Sequence, residues 1–517
     1  MSARARAGAH VLARALALPA IALVLVLVLV LGACASNGAI GPHEHLPTDQ
    51  DVAATLHLAG PAAAPADSTP AANPLPPVDW WTGYRDADLD RWIALGLRDS
   101  ATLKLAQARL EQARAALDAV HAGELPAVGL GAQSISQRIS GNGIYPPPLA
   151  GMIHSVNDVD LGAVLELDLF GRLAARTDAA RWSAQAGAAD RDLARIRLAG
   201  AISHAYFELA RAQQARRLAV DIETSRTAVL ELVRRRVGAG LDTQVEERLA
   251  QVTVPEIRVE IERAGEQIAV ARHALAVLAG QEPHAADSLD ARLPDANALA
   301  LPHALPLDLL ARRADIAAAR RRVMAAMSGV TAARADFYPN VNISALIGLD
   351  SLTPQKLFQV NSRTWQAGPA VHLPLFDGGA LRAQLRGASA DADAAIDAYN
   401  SAIVVAAREV ADAASSIESI ERQRSQQVLA TANAQAASEL AAIRYRAGLG
   451  NNLTVLTAQT SVLAQRRAEL ELHARGAAMD VSLALALGGG FHETPAPLAG
   501  TPVAGVRITI EPAAATP

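Results

Sequence analysis

Apolar and polar residues alternate with a period of two in four stretches of the chain. Val341, Ile343 and Ile347 alternate with polar neighbours, and the same pattern returns at residues 161–169, near 371–375 and from Val128 onward. Such alternation predicts strands with one apolar and one polar face. The stretch that begins at Val128 changes phase at Ile135, which predicts a β-bulge. Each strand is about ten residues long, enough to cross a hydrocarbon layer at a tilt.

A helical pattern follows each pair of predicted strands and continues for roughly 65 residues, or about 100 Å at 1.5 Å per residue. Residues 380–445 contain no proline, and their apolar residues repeat as the a and d positions of heptads. These positions are Ile396, Tyr399, Ile403, Ala406, Val410, Ala413, Ile417 and Ile420. Residues 172–236 behave similarly. Shorter helices are expected before each hairpin and after each long helix.

The chain contains two copies of one unit. Four landmarks occur in the same order in both halves, at offsets of 213, 206, 210 and about 208 residues. They are Glu124-Leu125-Pro126 with Phe337-Tyr338-Pro339, Leu167-Asp168-Leu169-Phe170-Gly171 with Leu373-Pro374-Leu375-Phe376-Asp377, Arg236-Val237-Gly238-Ala239-Gly240 with Arg446-Ala447-Gly448-Leu449-Gly450, and Ala276-Val277-Leu278-Ala279-Gly280 with Leu483-Ala484-Leu485-Ala486-Leu487-Gly488. Offsets this steady indicate an internal duplication.

The N-terminus has the three parts of a secretory signal in their usual order. Arg4, Arg6 and Arg14 form a basic region, an apolar run covers residues 15–31, and small residues precede the single cysteine, Cys34. An uncleaved membrane anchor is the alternative interpretation. The sequence Leu31-Gly32-Ala33-Cys34 looks like a bacterial lipobox, which implies cleavage before Cys34 and attachment of lipid to it. Ala35, which stands where an Asp would suggest retention at the inner membrane, favours the outer membrane.

Composition sets the predicted domains. The predicted segments are a signal peptide at 1–33, a lipidated flexible tether at 34–78, a first repeat at 79–283, an inter-repeat linker at 284–304, a second repeat at 305–490 and a disordered tail at 491–517. Aromatic residues make up 3% of the chain and the net charge is −5. Few bulky residues suit closely packed Ala-rich helices, and the acidic balance argues against a nucleic-acid partner.

The sequence contains no recognisable catalytic motif. The cluster His43-Glu44-His45 resembles a metal site in composition, but it lies in the predicted tether, where nothing is expected to fix its geometry. No catalytic, cofactor-binding or metal-binding residue is therefore assigned, and the covalent lipid on Cys34 is the one expected non-protein group. Tyr206 and Tyr445 are interpreted as packing residues.

Closure of the predicted strands requires more than one chain. An open sheet edge in lipid leaves backbone groups without hydrogen bonds, at several kcal/mol each. Four strands cannot enclose a pore, so other copies must complete the barrel, and the physical argument leaves the number of copies open. The expected fold class is mixed all-α and transmembrane β: a long α-helical coiled-coil barrel with a small β-barrel shared between subunits.

Several motifs resemble the TolC-like outer-membrane efflux family, in particular its NodT-type lipoprotein branch, which serves resistance–nodulation–division (RND) pumps. The matching stretches are Trp80-Trp81, residues 166–172, 275–283 and 308–316, Ala335-Asp336-Phe337-Tyr338-Pro339 and residues 374–379. The resemblance covers nearly everything from Val78 to Gly490. It implies a homotrimer in outer-membrane lipids, with a helical tunnel in the periplasm that docks on a periplasmic adaptor and an inner-membrane RND transporter.

The resemblance also implies two sets of structural residues. The family's Arg-Pro-Asp-Ile reads Arg313-Ala314-Asp315-Ile316 here, which loses a helix-start proline but keeps Arg313 and Asp315 as ion-pair candidates. The two Arg-x-Gly turns are candidates for adaptor contact and for an iris-like opening motion. Their residues are Arg236, Gly238, Gly240, Arg446, Gly448 and Gly450.

The gate is expected to be uncharged. Relatives carry acidic residues just beyond the second turn, whereas this chain has Leu453, Thr454 and Thr457. An apolar-plus-hydroxyl gate would be less cation-selective than an acidic one. One alternative is that Leu453 and Thr457 merely pack the tip. Another is that Glu246 and Glu247, which lie beyond the first turn, supply the acidic charge that is missing at the second.

Two other functions remain open. The same kind of duct could serve a type I protein-secretion machine or a metal-efflux pump. A structural envelope lipoprotein without a pore is the second alternative. The most favoured function is the exit duct of a tripartite pump that exports drugs or other small toxic compounds.

Overall fold

The computed structural model describes residues 40–45, 76–148, 150–294 and 312–492. Its helices are α1 (Ala87–Asp99), α2 (Ala101–Ala122), α3 (Arg172–Gly238), α4 (Gln244–Leu278), α5 (Ala314–Ala335), α6 (Ala380–Arg446) and α7 (Asn452–Ala486). Its strands are β1 (Ala127–Arg138), β2 (Ile153–Leu167), β3 (Asn340–Ser351) and β4 (Arg363–His372). Four strands and long helices in two repeats confirm the expected elements.

The chain divides into two compact units. The first comprises Met1–Thr48, Ala108–Gly187 and Ala319–Ala402, and it holds the strands. The second comprises Asp49–Gln107, Ala188–Ala318 and Ile403–Pro517.

The strands form one antiparallel sheet in the order β1-β2-β3-β4, so the two repeats join where β2 pairs with β3. One row across the sheet consists of Leu130, Leu161, Ile347 and Trp365, all exposed. The neighbouring row, on the opposite face, contains Asp160 between two glycines. The sheet therefore has an apolar face with nothing packed on it among the described residues.

The predicted bulge in β1 is wrong. Every residue of β1 from Ala127 to Arg138 pairs with β2 in an unbroken register. The phase change arises because the apolar face becomes polar toward the β1–β2 connection. There Ser134 Oγ donates to Asn157 Oδ1 at 2.7 Å, while Ile135 points to the other face opposite Val156. A change in the polarity of one face can thus resemble an inserted residue in the sequence.

The predicted heptads form the buried side of α6. Seven of the eight positions are buried; Tyr399 is half-buried. In the second unit Val410 and Ile417 pack against Leu483 and Leu487 at the end of α7. Burying such a side chain contributes about 1.5–3 kcal/mol, which explains how a helix of 67 residues keeps one face inward.

The offset in residue number between equivalent helices of the two repeats differs for helices before and helices after the strand hairpins. The helices α2 and α5 begin at residues 101 and 314, an offset of 213. Both the pair α3 and α6 and the pair α4 and α7 are offset by 208 at each end. The second repeat is therefore five residues shorter, and the whole difference lies between the helix that precedes the hairpin and the helix that follows it.

An aromatic cluster and the start of the predicted linker pack in the second unit. Trp80 and Trp92 are buried together with Leu289 and Leu293. Gln213 fixes this segment, since its Nε2 donates to Leu289 O at 2.7 Å and its Oε1 accepts from the Ala291 N–H at 2.9 Å. The start of the linker thus contributes Ala286, Leu289, Ala291 and Leu293 to the core, while the residues between them are exposed.

The predicted tail begins too early, because Phe491 is buried. The signal peptide, Cys34, most of the tether, residues 295–304 of the linker and the tail beyond 492 lie outside the described residues. No helix in the described part of the chain combines the length and the apolar character that crossing a bilayer requires.

Candidate functional site

Two tight turns in the second unit have the same backbone. In tip 1, between α3 and α4, Gly240 has φ 72° and the Leu241 N–H donates to Arg236 O at 2.8 Å. In tip 2, between α6 and α7, Gly448 has φ 73° and the Leu449 N–H donates to Arg444 O at 2.8 Å. Both are Schellman ends, in which a left-handed residue reverses the chain, so glycine is needed at these two positions.

The predicted equivalence of the two turns is wrong by two residues. The sequence pairs Arg236 with Arg446, and Gly238 with Gly448. The structure instead makes Gly240 equivalent to Gly448, in agreement with the offset of 208 between the helices. Gly238 is the last residue of α3, and Gly450 is not among the residues with positive φ. The structural counterpart of Arg236 is therefore Arg444.

A polar cluster joins the two tips. Arg236 Nε and Nη2 donate to the two carboxylate oxygens of Asp242, at 2.9 and 3.2 Å. The hydroxyl of Tyr445 in tip 2 donates to the same carboxylate. The Arg236 guanidinium also lies 4.7 Å from the centre of the Tyr445 ring. We call Arg236, Asp242 and Tyr445 the tip cluster; it holds a cation, an anion and a ring in mutual contact.

The tip cluster is arranged to keep its charges. Burial disfavours the ionised form of Asp242, but the hydrogen bonds from Arg236 and Tyr445 outweigh it and lower the Asp242 pKa below its usual value of 3.8. The hydrogen bond to Asp242 raises the pKa of Arg236. Burial and the bond to Asp242 raise the pKa of Tyr445. The cluster is thus an ionised pair with a neutral phenol at neutral pH.

An apolar core lies beside the tip cluster. Tyr445 is buried with Val233, Val254 and Val455, so all four tip helices contribute to it. Buried Asn452 donates from Nδ2 to Glu246 O at 3.3 Å, which adds a second polar link between the tips. Separating the two tips would therefore expose apolar surface as well as break the tip cluster.

The gate candidates lie on the exposed side of the first two turns of α7. Leu453, Thr454 and Thr457 are exposed, whereas Asn452 and Val455 on the other side are buried. The hydroxyls of both threonines are already hydrogen-bonded, to Asn451 Oδ1 and to Leu453 O. In the described part of the single subunit Leu453 and Thr457 are thus open to solvent, and whether they line a gate or pack the tip stays a prediction.

The acidic alternatives at tip 1 are engaged. Glu246 accepts from the Thr243 N–H at 2.7 Å and so caps α4. Glu247 accepts from Gln251 Nε2 at 2.8 Å and lies 3.6 Å from Arg234 Nε. Both carboxylates are thus held by groups of their own subunit.

Arg313 forms a second buried ion pair. Its Nε and Nη2 donate to Asp315 at 3.1 and 2.8 Å, and Nη2 also contacts Glu409 of α6 at 2.8 Å. Its Nη1 donates to Ala486 O at the end of α7. Burial opposes the charge of Arg313, but Asp315 and Glu409 outweigh it and raise the Arg313 pKa. Arg313 thus ties the start of α5 to α6 and α7, and Ala314 occupies the first helical position, where the proline is lost.

The sequence predicts Arg236 as a tip residue but neither of its partners. Asp242 is not among the predicted site residues, and Tyr445 is predicted to be a packing residue. The available signal was an acid directly after a glycine turn, together with an aromatic residue at the end of the equivalent helix in the other repeat.

Among the described residues, no group of three or more His, Cys, Asp or Glu side chains is arranged to hold a metal ion. His43-Glu44-His45 is exposed. The backbone of this segment is nevertheless fixed, contrary to the prediction, because Asp393 accepts from the N–H groups of His43 and Glu44.

Comparison with known proteins identifies the kind of molecule. A family model described as outer membrane efflux protein matches residues 92–281 and 305–489. The chain belongs to the outer membrane efflux protein family. Multidrug resistance outer membrane protein MdtP of Escherichia coli K12 is 32% identical over 470 residues, 88% of this chain and 92% of MdtP. Fusaric acid resistance protein FusA of Burkholderia cepacia is 35% identical over 364 residues, 70% of this chain and 67% of FusA.

A solved structure supports the same assignment. The crystal structure of the outer membrane protein VceC of Vibrio cholerae matches with a TM-score of 0.75 and 32% identity, over 81% of this chain and 100% of VceC. The chain described here is, as a member of this family, an outer-membrane channel of an efflux system with a periplasmic helical extension, and it is not an enzyme. The expected fold class, outer-membrane location and channel function are confirmed, whereas lipid attachment to Cys34 stays a prediction.

Proposed function

We propose that this chain is the exit duct of a tripartite drug-efflux pump. It works as a homotrimer, anchored by lipid on Cys34 and docked on a periplasmic adaptor and an inner-membrane RND transporter. The cargo is drugs or other small toxic compounds, in keeping with the resistance proteins to which the chain is similar.

One observation carries this proposal: the sheet is incomplete and its apolar face is bare. In the described chain β1 and β4 each pair on one side, so each edge has a row of unpaired backbone groups. Such edges are unstable in hydrocarbon. Because β1 and β4 are both long, β4 of one copy can pair with β1 of the next. Three copies would bring twelve strands, the number that the resemblance to the efflux family implies.

Opening takes place at the tips. The tip cluster holds tip 1 to tip 2 within one subunit. Moving the tips apart requires breaking the hydrogen bond from the Tyr445 hydroxyl to Asp242 and the contacts of the Arg236 guanidinium with the ring and the carbonyl of Tyr445. The exposed gate residues are then free to line the constriction formed by three copies. Since neither Leu453 nor the two threonines carries charge, the constriction is weakly cation-selective.

The assembled channel in a planar bilayer tests this function. We expect ion currents from purified oligomer, weak cation selectivity, and increased cation selectivity when Thr454→Asp and Thr457→Asp are introduced. Ser461→Asp, at an exposed site further along α7, is the matched control and should change selectivity less. A protein that conducts nothing refutes the duct, and strong cation selectivity of the unaltered protein refutes the uncharged gate.

Gene deletion separates the possible cargoes. Loss of the drug-export channel should raise sensitivity to small toxic compounds and leave secreted protein in the medium unchanged. Restoration by the unaltered gene but not by a non-conducting variant is the control. Retention of a secreted protein would favour the type I secretion role, and sensitivity confined to metal ions would favour metal efflux.

A further inference from the structure

The ends of the strands are stepped across the sheet. Four paired residues form one row, namely Arg363 of β4, Leu349 of β3, Val159 of β2 and Ala132 of β1. Arg363 is the first residue of β4, whereas β1 continues past Ala132 for six residues, to its last residue Arg138. At the opposite end of the sheet the step has the same sense, because residues 165–167 of β2 pair with β3 but extend beyond the start of β1. The sheet is therefore a parallelogram, with Arg138 and Arg363 at two corners of the same edge.

A parallelogram of this shape is what tilted strands produce. Strands of a membrane barrel tilt by about 35–45° from the barrel axis. Going from β1 to β4 crosses three spacings of about 4.8 Å, so a tilt of about 40° compensates for roughly 12 Å of the roughly 20 Å that six residues span. The remaining difference in height is roughly 6 Å, which is about the length of an arginine side chain. The side chains of Arg138 and Arg363 therefore reach the same level of the membrane.

Both arginines lie on the apolar face of the sheet. Because alternate residues of a strand share a face, Arg138 is on the side of Leu130, and Arg363 is on the side of Trp365. Both arginine side chains are exposed, and neither has an ion-pair partner within the described part of the chain. The strands carry their Asp residues on the opposite face, at Asp158, Asp160 and Asp350. The lipid-facing side of this edge thus carries positive charge only.

This edge is the outer one. The opposite ends of the strands lead into α2, α3, α5 and α6, and the helical extension of this family lies in the periplasm. The two connections at the edge, residues 139–152 and 352–362, contain no Asp or Glu and a single Lys. The edge therefore lies at the outer leaflet of the outer membrane, where the lipid A of lipopolysaccharide carries phosphate groups. Arginine is well suited to such groups, because its planar guanidinium binds phosphate through two hydrogen bonds.

We propose that Arg363 of one subunit and Arg138 of the partner subunit together bind a phosphate group of lipid A at each junction between subunits. The proposal deepens the proposed function and rests on its homotrimer. Within one subunit the two arginines are roughly 25 Å apart along the sheet, too far for one phosphate, because three strand spacings and six residues separate them. Where β4 of one copy pairs with β1 of the next, they lie on adjacent strands at the same level. The lipid therefore contacts two copies at once and holds the junction from the membrane side.

Native mass spectrometry of the full mature protein tests the site. Bisphosphorylated lipid A should bind at three sites per trimer, about tenfold more tightly than lipid A from which both phosphates have been removed. Arg138→Gln and Arg363→Gln should each weaken this binding about tenfold. Arg386→Gln, the matched control, removes the same charge from an exposed position of α6 and should change it less than about twofold. Equal binding of the two lipids, unchanged binding by both edge variants, or equally tight binding of phosphatidylglycerol overturns the proposal.

Mixed trimers test the sharing of the site between subunits. When Arg138→Gln chains and Arg363→Gln chains are combined, one junction of each mixed trimer brings an intact Arg363 beside an intact Arg138. A mass tag on one variant distinguishes these trimers. They should bind one lipid A with the affinity of the unaltered protein, whereas trimers of either variant alone should not. Mixed trimers without a tight site would overturn the shared site.

The same spectra separate the lipid site from the homotrimer on which it rests. A protein found only as a monomer refutes the homotrimer, and the shared site with it. A trimer that conducts in planar bilayers but binds lipid A equally well with and without its phosphates overturns the lipid site alone and leaves the proposed duct in place.

Discussion

The two tips share a backbone and differ in chemistry. Both reverse the chain at a glycine with φ near 70°, and both start a helix of 35 residues. Tip 1 carries Arg236 and Asp242, whereas Gly450 occupies the position equivalent to Asp242 in tip 2. Tip 2 supplies Tyr445, which corresponds to Val237. Both repeats thus keep the turn, but the tip cluster takes two residues from the first repeat and one from the second. Each subunit therefore has one tip cluster, built from chemically different contributions of its two repeats.

Removing the carboxylate should have the largest effect. Asp242→Ala removes the acceptor for both Arg236 and Tyr445, and hydrogen bonds to charged groups contribute about 1.5–3 kcal/mol each. We expect at least a tenfold rise in the open probability of channels in planar bilayers, since about 1.4 kcal/mol corresponds to tenfold. Arg444→Ala, at the tip 2 position equivalent to Arg236, is the control and should change it less than twofold. Equal effects of the two substitutions would abolish the distinction between the tips.

Acid should open the unaltered channel by the same route. The Asp242 pKa is lowered from 3.8 in the folded chain. The stabilising contribution of its carboxylate is therefore complete above about pH 5 and is lost as the pH falls through the lowered pKa, below 3.8. Open probability measured from pH 7 to pH 3 should rise only at the acid end, and by less than in Asp242→Ala. Asp242→Asn should show little of this rise; an equally steep rise would assign it to other groups.

Deleting one hydroxyl should have a smaller effect. Tyr445→Phe removes one donor to Asp242 and retains the ring beside the Arg236 guanidinium, 4.7 Å from its centre. A hydrogen bond to a charged acceptor worth about 1.5 kcal/mol predicts roughly a tenfold rise in open probability, which is the smallest rise expected of Asp242→Ala. Tyr445→Leu, which also loses the contact with the cation, should exceed it. No difference between the two variants would show that the ring contributes nothing to the tip cluster.

Substitutions in the shared backbone should affect both tips alike. Gly240→Ala and Gly448→Ala meet no neighbouring atoms but force a left-handed conformation on a side chain, at about 1–2 kcal/mol. Urea unfolding should show a similar decrease in the free energy of unfolding for both variants. Gly238→Ala, at a helical position with free space, should be neutral or slightly stabilising. A large difference between Gly240→Ala and Gly448→Ala would show that the turns are not equivalent.

Periodicity predicted the fold but not the register of the tips. The heptads of α6 and the alternation in β3 are repeated many times, so a single ambiguous residue cannot hide them. The end of α6 is different, because Arg444 and Arg446 stand two residues apart and either can be matched to Arg236. The left-handed glycine decides between them, and a sequence pattern does not display φ.

The tip cluster could not be predicted from the sequence for a related reason. Asp242 and Tyr445 are 203 residues apart and lie in different repeats. Their contact depends on how the four tip helices pack around Val233 and Val455. Neither residue has a counterpart of the same chemistry in the other repeat, so the duplication does not mark them, and the acid after the turn and the aromatic residue at the helix end do not by themselves indicate that the two touch.

The five-residue difference between the repeats shows where the chain tolerates a change of length. Deleting one residue within α3 would rotate everything beyond it by about 100° and shift it by 1.5 Å, which would turn buried alanines toward water. The connection between β1 and β2 has no such constraint, because antiparallel partners keep their register while the loop grows or shrinks. An affinity tag placed near Gly141 would therefore leave the helices undisturbed, whereas the same tag inside a helix would not.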